Sequence, residues 1–508
     1  MSSPEPPRPR LRQRSPVQSL AIGLSIGILV GVLVGPGRQA VEIVETPAVG
    51  DALEPTDGAT TANPTDPATG ASPTPGATAD GGVPEPIIAG PSTPGGSNPA
   101  AGPSATEAPV GNVTGVTTDT IRIGIGVPDL GVLAALGPNY DFGDPADHMN
   151  ALLEDWRERG LVPVHGRDLV FYPRRYDIVG TEQQLAACQG WINDDKVFAV
   201  VAVQQFWGHG ECVAESRTPL ITTMMYYADT YTPAGARYIF DLEPTTERVL
   251  RNWVHWMDDN GILQGKTIGV YRPIGRDGIP ITDAMIPELN KLGYEVAVEV
   301  TTDNHSTGSG QDTVAVSRFR RNVPPVDLAL LMTSAINSTN FMQQAQAQAY
   351  RPTYVMSDYI QSTNDVAAST FPPDQFDGSF AMTMLRYGEE AAGLGLTPQA
   401  QACVDNYAER RGRRVSYRER PAEYLMLVAG CDEGSVLLRG LQEAGRGVTV
   451  DRFVDILNTI RDMPMGLHAD VSFVAGDPGG VRQLRTLQWR RGCTCYVAVS
   501  DWRPFYVN

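Results

Sequence analysis

Two hydrophobic patterns alternate along the chain from about residue 118 to the C-terminus. Continuous apolar runs such as Val197–Val203 are typical of strands that are buried on both faces. The segments between such runs show helical spacing; in 246–260, for example, Leu250, Trp253 and Met257 fall on one face. Strands that alternate with helices predict a parallel α/β sheet, and the series occurs twice. The predicted strands are 121–127, 169–172, 197–203, 219–222, 266–271, 295–300, 327–332, 353–356, 484–489 and 495–499, and the predicted helices are 144–159, 181–194, 209–216, 246–260, 281–292, 313–321, 340–350, 398–411, 422–444 and 450–461.

A different apolar run occupies residues 19–35, after a basic stretch at 1–18. Its length is at the short limit for a membrane-spanning helix and also fits the apolar part of a signal peptide. Cleavage before Val41 would place Arg38 where a small residue is needed, so we expect an uncleaved transmembrane signal anchor, with cleavage as the alternative. Arginines before the span place residues 1–18 in the cytoplasm and the C-terminal body outside the cell membrane. Glycine at every fourth position of the span would allow a helix-mediated dimer.

Residues 36–117 have the composition of a disordered tether. Between 39 and 117 there are 13 prolines and nine acidic residues, but neither lysine nor arginine. Such a segment cannot bury a core and is expected to hold the body away from the membrane. The whole chain carries a net charge of −18, which argues against nucleic acid as a partner. Of the 40 basic residues 37 are arginine, which is typical of a GC-rich bacterial genome such as an actinobacterial one.

All six cysteines lie in the body, and an even number outside the membrane indicates disulfides. We expect Cys188 to pair with Cys212 and Cys403 with Cys431. Cys493 and Cys495 either bond each other in a small ring or stay reduced. A metal site is the competing interpretation, but a C-x-C pair without further ligands is weak support for it.

Catalytic and cofactor motifs fail when they are tested against the sequence. Gly124 and Gly126 begin a dinucleotide-type turn, but position 129, where the third glycine is required, is Asp129. The body contains no phosphate-binding G-x-x-x-x-G-K-[ST], no H-E-x-x-H and no G-x-S-x-G. We therefore expect no catalytic residues, no cofactor and no metal, and the protein is not expected to be an enzyme.

Several stretches together resemble a known family. They are Ile121-Arg-Ile-Gly-Ile-Gly-Val127, Asp194-Asp-Lys-Val-Phe-Ala-Val-Val-Ala-Val203, Thr218-Pro-Leu-Ile-Thr-Thr223 and the helix Ala422–Cys431. In order and spacing they are similar to the type I periplasmic binding proteins, the branched-chain amino-acid-binding (leucine-binding protein-like) family. The resemblance covers about residues 118–508. It implies two Rossmann-like lobes with parallel sheets, linked by a hinge around a central cleft. The first lobe would comprise 118–243 and 366–465, and the second 244–365 and 466–508.

The resemblance also implies that a ligand contacts strand ends facing the cleft. The candidates are Gln204, Gln205, Phe206, Thr222 and Thr223 in the first lobe, and Tyr271, Arg272, Arg276, Thr333, Ser334, Asp358 and Tyr359 in the second. For an amino-acid ligand, threonine hydroxyls and backbone N–H groups would take the carboxylate and Asp358 the ammonium. The family's small residue after the third strand is replaced by Gln204–Trp207, and its Tyr-Gly-x-Gly loop by Ile274–Gly278. These departures favour a bulkier or acidic organic ligand as the alternative.

The expected function is that of an extracytoplasmic solute-binding protein. It would capture a small organic ligand, an amino acid or a related acid or amide, for an ABC-type transporter, with a membrane permease as partner. The alternative is a membrane-tethered sensor or receptor ectodomain that uses the same fold without transport.

Overall fold

The computed structural model describes residues 113–134, 138–178, 181–202, 210–303 and 310–507. The predicted anchor and all but the last residues of the predicted tether lie outside these ranges. Among the residues that are described, no helix combines the length and apolar character needed to cross a membrane. Residues 107–508 cluster into one compact unit, which contains two sheets.

The first sheet is built from five parallel strands in the order β2-β1-β3-β4-β5. Its central strand β3 is buried along its whole length, because helices cover both faces of a parallel sheet. This explains why the sequence at 199–202 is continuously apolar. The strands are β1 Thr120–Asp129, β2 Asp168–Asp177, β3 Ala199–Ala202, β4 Leu220–Thr222 and β5 Ile239–Asp241.

The second sheet follows the order β12-β11-β10-β9-β8-β6-β7. From β7 to β10 neighbouring strands run parallel, whereas β11 and β12 are antiparallel additions at one edge, and β13 pairs with β11. The strands are β6 Ile268–Pro273, β7 Val296–Thr302, β8 Leu328–Leu331, β9 Thr353–Ser357, β10 Phe380–Thr383, β11 Gln483–Arg490, β12 Cys495–Ala498 and β13 Arg503–Pro504.

Helices cover the two sheets and bury their apolar faces against them. In Thr246–Asp259, the side chains of Val249, Leu250, Trp253 and Trp256 are buried, as the helical spacing predicts. The helices are α1 Gly131–Ala134, α2 Pro145–Glu158, α3 Thr181–Gln189, α4 Gly210–Glu215, α5 Pro233–Tyr238, α6 Thr246–Asp259, α7 Ile286–Lys291, α8 Gly310–Arg321, α9 Ala335–Ala347, α10 Asp365–Ala368, α11 Pro373–Phe376, α12 Pro398–Arg411, α13 Pro421–Ala444 and α14 Val450–Leu457. Short 3₁₀ or π turns occur at Pro138–Tyr140, Gly190–Asp195, Ala228–Thr230, Arg276–Gly278, Ile281–Met285 and Asp358–Ile360.

The chain returns to the first lobe later than the sequence predicted. β10 pairs with β9 in the second sheet, so the second lobe continues beyond residue 365 and the predicted start of the returning first lobe at 366 is wrong. The return is made by α12, which packs on α2; there Tyr407 Oη donates to Asp147 at 3.1 Å. Strand β10 has only four residues and does not stand out in the hydrophobic pattern, which explains why the boundary was misplaced. Helix α9 also begins at Ala335, five residues before its predicted start, because Ser334 caps it.

The structure confirms the two long-range disulfides. Cys188–Cys212 joins α3 to α4, and Cys403–Cys431 joins α12 to α13. Cys493 and Cys495, for which two states were open, are bonded to each other in the turn between β11 and β12.

Candidate functional site: a cavity between the lobes

A cavity of about 300 Å³ lies between the two lobes, where the parallel strands of both sheets end. Leu130 after β1 and Thr223 after β4 line it from the first lobe. Asp358 after β9 and Ser334 at the start of α9 line it from the second lobe. Open α/β sheets bind ligands at these carboxyl ends, and the volume is at the small end of the usual range for such sites.

Most of the cavity wall is apolar or aromatic. Leu133, Phe142, Met224 and Met225 line it in the first lobe, and Val366 in the second. Tyr140, Tyr359 and Tyr387 add aromatic surface. Among the described residues in the lining there is no lysine or arginine, and the charged members are Glu243 and Asp358. This part of the cavity therefore suits a ligand with an apolar body and a positive group.

The Glu243 carboxylate in the cavity wall is available to accept hydrogen bonds. It lies in the first crossover between the lobes, directly before Pro244. Burial, with the nearby carboxylates of Asp241 and Asp358, raises its pKa well above the usual range. The His468 ring lies nearby, with Nε2 3.8 Å from Glu243 Oε1. No hydrogen bond to the Glu243 side chain occurs within the described part of the chain, so it can accept bonds from a ligand.

Asp358 lines the cavity, but the second lobe already uses its carboxylate. Thr383 Oγ1 donates to it at 2.9 and 3.1 Å, and the backbone N–H of Met384 at 2.6 Å. Thr363 Oγ1 donates a further bond. Burial raises its pKa to about 6 in spite of these donors. The sequence assigned the ammonium to Asp358 and did not identify Glu243, because no local period or motif marks a residue in a crossover.

The N-terminus of helix α9 faces the same cavity. Ser334 caps the helix by accepting the N–H of Asn337 at 3.3 Å, and it donates to Asn337 Oδ1 at 2.8 Å. Ala335 and Ile336 in the first turn line the cavity. The first N–H groups of a helix have no partner within the helix, and the helix dipole favours negative charge there. This end of the cavity can therefore receive an anionic group.

A set of polar contacts joins the lobes beside the cavity. We call Tyr227, Asp229, Arg276 and Asp277 the cleft latch. Tyr227 Oη, from the first lobe, donates to Asp277 Oδ1 of the second lobe at 2.6 Å. The Arg276 guanidinium lies 5.2 Å from the centre of the Tyr227 ring and 3.1 Å from Asp229 Oδ1. The cavity-lining Tyr359 donates to the backbone carbonyl of Asp277 at 2.6 Å, which connects the latch to the site.

The structure places the remaining sequence candidates as follows. Thr223, Ser334, Asp358 and Tyr359 lie in the cavity wall, and Gln204, Gln205 and Phe206 are outside the described residues. Arg276 belongs to the cleft latch. Four candidates bond within their own lobes and do not line the cavity: Thr222 donates to Ala202 O, Tyr271 to Asp312, Arg272 pairs with Glu299 and Thr333 bonds Ser338. Thr222, Tyr271 and Arg272 are strand residues and Thr333 lies two residues after β8, and a position at a strand end does not reveal which way the side chain points.

Two parallel-sheet lobes that enclose a small cavity define a two-lobe solute-binding protein. The family model of the periplasmic binding proteins matches residues 120–494, and the chain belongs to that family. Its members bind solutes and are not enzymes. No curated protein sequence matches the chain.

Solved structures share the fold at low sequence identity. A possible leucine/isoleucine/valine-binding protein from Rhodopirellula baltica is 11% identical, with a TM-score of 0.58 over 75% of this chain and 97% of that one. A fatty acid ABC transporter substrate-binding protein from Thermomonospora curvata is 17% identical, with a TM-score of 0.58 over 78% and 95%. An ABC transporter substrate-binding protein from Desulfitobacterium hafniense in complex with Leu is 14% identical, with a TM-score of 0.53 over 75% and 100%.

Proposed function

We propose that the protein captures a small organic ligand that carries an amino group, such as an amino acid or a related amide, between its lobes. It would do so outside the cytoplasm and deliver the ligand to the permease of an ABC transporter. The proposal rests on one observation: the Glu243 carboxylate, to which no described residue donates a hydrogen bond, lines the same cavity as the N-terminus of α9. The substrate-binding proteins of ABC transporters among the similar structures support the transport role.

The ligand would be held at both ends. Glu243 would accept hydrogen bonds from the amino group, and the cation would stabilise the ionised form that burial disfavours in the empty cavity. A carboxylate or amide oxygen would accept from the free N–H groups at the start of α9. The apolar remainder would pack among the leucine and methionine side chains of the first lobe. Closure of the lobes excludes water and strengthens each of these interactions.

We also propose that an N-terminal transmembrane helix at 19–35 and the tether at 36–117 hold this body at the outer face of the cell membrane. The basic residues before the apolar run support that orientation. Protease digestion of intact cells tests it: accessible body and protected N-terminus are expected, and a body protected in intact cells would contradict the proposal.

Ligand screening tests the capture role. The full chain in detergent is screened by thermal shift against amino acids, their amides and matched carboxylic acids without an amino group. Stabilisation by ligands with the amino group is expected, and Glu243→Gln should reduce it. The matched control is Glu247→Gln, because burial also raises the pKa of Glu247 but its side chain accepts the Ala228 N–H outside the cavity wall. Equal stabilisation by the acids without an amino group would contradict the proposed ligand class.

A further inference from the structure

A second cavity, of about 670 Å³, adjoins the first. Its wall includes the start of α13, the segment between β10 and α12, and the turn between β11 and β12 that carries the Cys493–Cys495 disulfide. Tyr387 and Leu425 line both cavities. The volume lies within the usual range for sites that bind small organic molecules.

One wall of the second cavity is a cluster of three tyrosines. The rings of Tyr387 and Tyr417 are nearly parallel, with planes at 22° and centroids 6.5 Å apart. Tyr424 meets Tyr417 edge-on at 5.6 Å. All three side chains line the cavity. Aromatic rings prefer offset-stacked or edge-on neighbours, so this wall offers a surface for a further ring.

Most charged groups in the second cavity are already committed. Arg386 donates to Asp470 at 3.1 Å and to the backbone carbonyl of His468 at 2.9 Å, while Glu389 accepts from Arg386 and Arg485. Asp365 accepts the N–H of Tyr496 at 2.8 Å.

Two charged side chains in the lining remain available. Glu390 and Arg418 are both exposed, and neither forms an ion pair with any residue of the described ranges. The second cavity therefore offers one anion and one cation beside an aromatic wall.

We propose that the second cavity is a binding site for a small aromatic zwitterion, distinct from the interlobe cavity. The ring of the ligand packs on the tyrosine wall, its anionic group pairs with Arg418 and its cationic group with Glu390. Arg418 and Glu390 favour a ligand with one anionic and one cationic group, and the tyrosine wall favours a ligand with an aromatic ring. The two cavities share Tyr387 and Leu425 but otherwise have different linings, so the two sites have different ligand contacts.

The probe for this site is 5-fluoro-L-tryptophan, observed by ¹⁹F NMR with the full chain. Glu243→Gln removes the amino-group acceptor of the interlobe cavity, so binding that persists in this background reports the second cavity. Adding Glu390→Gln and Arg418→Ala should then weaken binding by about 2- to 30-fold, since each exposed ion pair contributes about 0.2 to 1 kcal/mol. Both residues are exposed, so folding should be preserved. Arg452→Ala, an exposed arginine on α14 outside the cavity, is the control and should leave the affinity unchanged.

Three outcomes are decisive. Loss of probe binding on removing Glu390 and Arg418, with L-leucine bound more weakly than the probe in the same background, supports the site. Absence of probe binding in the Glu243→Gln background overturns it. Probe binding that stays within twofold after the two substitutions also overturns it. None of these results depends on the amino-acid screen of the interlobe cavity, which tests the capture role separately.

Discussion

Replacing Tyr227 with phenylalanine removes one hydroxyl from the cleft latch and leaves its ring in place. That hydroxyl donates to Asp277 Oδ1 at 2.6 Å, across the two lobes. The contact of Arg276 with the ring does not need the hydroxyl, so the substitution isolates a single hydrogen bond. When the lobes move apart, this bond is broken in the wild type as well. The whole effect of the substitution therefore falls on the closed state.

The size of the effect follows from the environment of the bond. A hydrogen bond to a charged group contributes about 1.5 to 3 kcal/mol. Tyr227 and Asp277 are both only partly buried, and water can replace part of the lost interaction, so we expect about 1 to 2 kcal/mol at this position. A ligand that is held by the closed state should then bind about 5- to 30-fold more weakly.

The assay is isothermal titration with the amino acid that gives the largest thermal shift for the wild type. Tyr294→Phe is the matched control, because Tyr294 Oη donates to Asp258 Oδ1 at the same distance of 2.6 Å but within the second lobe. Small-angle X-ray scattering without ligand supplies a second measurement, and Tyr227→Phe should shift it toward the open form. Wild-type affinity in Tyr227→Phe, or an equal loss in Tyr294→Phe, would refute the reasoning that this bond stabilises closure.

Three further predictions concern the hinge, the cavity and the disulfides. Gly479→Ala should lower the free energy of unfolding by about 1 to 3 kcal/mol in chemical denaturation, because a Cβ there would lie 2.4 Å from Pro244 Cα in the first crossover. Gly476→Ala has a similar positive φ but no atom within 4 Å, and its smaller loss measures the φ strain alone. Glu243→Gln should raise the melting temperature at pH 8 but not at pH 4. When the pKa of a carboxyl group is higher in the folded than in the unfolded state, the stability falls as the pH rises above the pKa of the unfolded state. The substitution removes this destabilisation at pH 8, whereas at pH 4 there is none to remove. Equal melting temperatures of the variant and the wild type at pH 8 would contradict this. Replacing Cys403 and Cys431 together by serine should cost about 3 to 4 kcal/mol of unfolding free energy, since their sequence separation is 28 residues. A loss below about 1 kcal/mol would contradict the view that this disulfide stabilises the protein by restricting the unfolded chain.

Of the nine strand-end candidates that the structure describes, four line the interlobe cavity. Thr223, Ser334, Asp358 and Tyr359 were named from their positions after apolar runs, and all four line the interlobe cavity. They lie together because parallel strands present their carboxyl ends at the same edge of the sheet. Position alone assigned Asp358 a ligand role without showing that the threonines of its own lobe already occupy its carboxylate.

Residues in the crossovers could not be found in this way. Glu243 and Tyr387 lie in separate connecting segments and meet at the interlobe cavity only because the chain passes repeatedly between the lobes. No local period or motif marks such positions. The same limitation explains why the predicted lobe boundary at 365 is wrong. The short strand β10 belongs to the second sheet through its pairing with β9, and its own sequence does not show this pairing.

The sequence by itself determined the α/β class, most of the helices and strands and the family resemblance, because hydrophobic periodicity is a local property of the chain. It also predicted the two long-range disulfides that the structure contains. The tertiary structure decided which carboxylate is free to bind a ligand, which side chains latch the lobes together and where a second cavity lies. These properties depend on the burial and pairing of groups that are far apart in the chain. Such groups are brought together only when the chain crosses between the two sheets and places the ends of their strands around the same cavity.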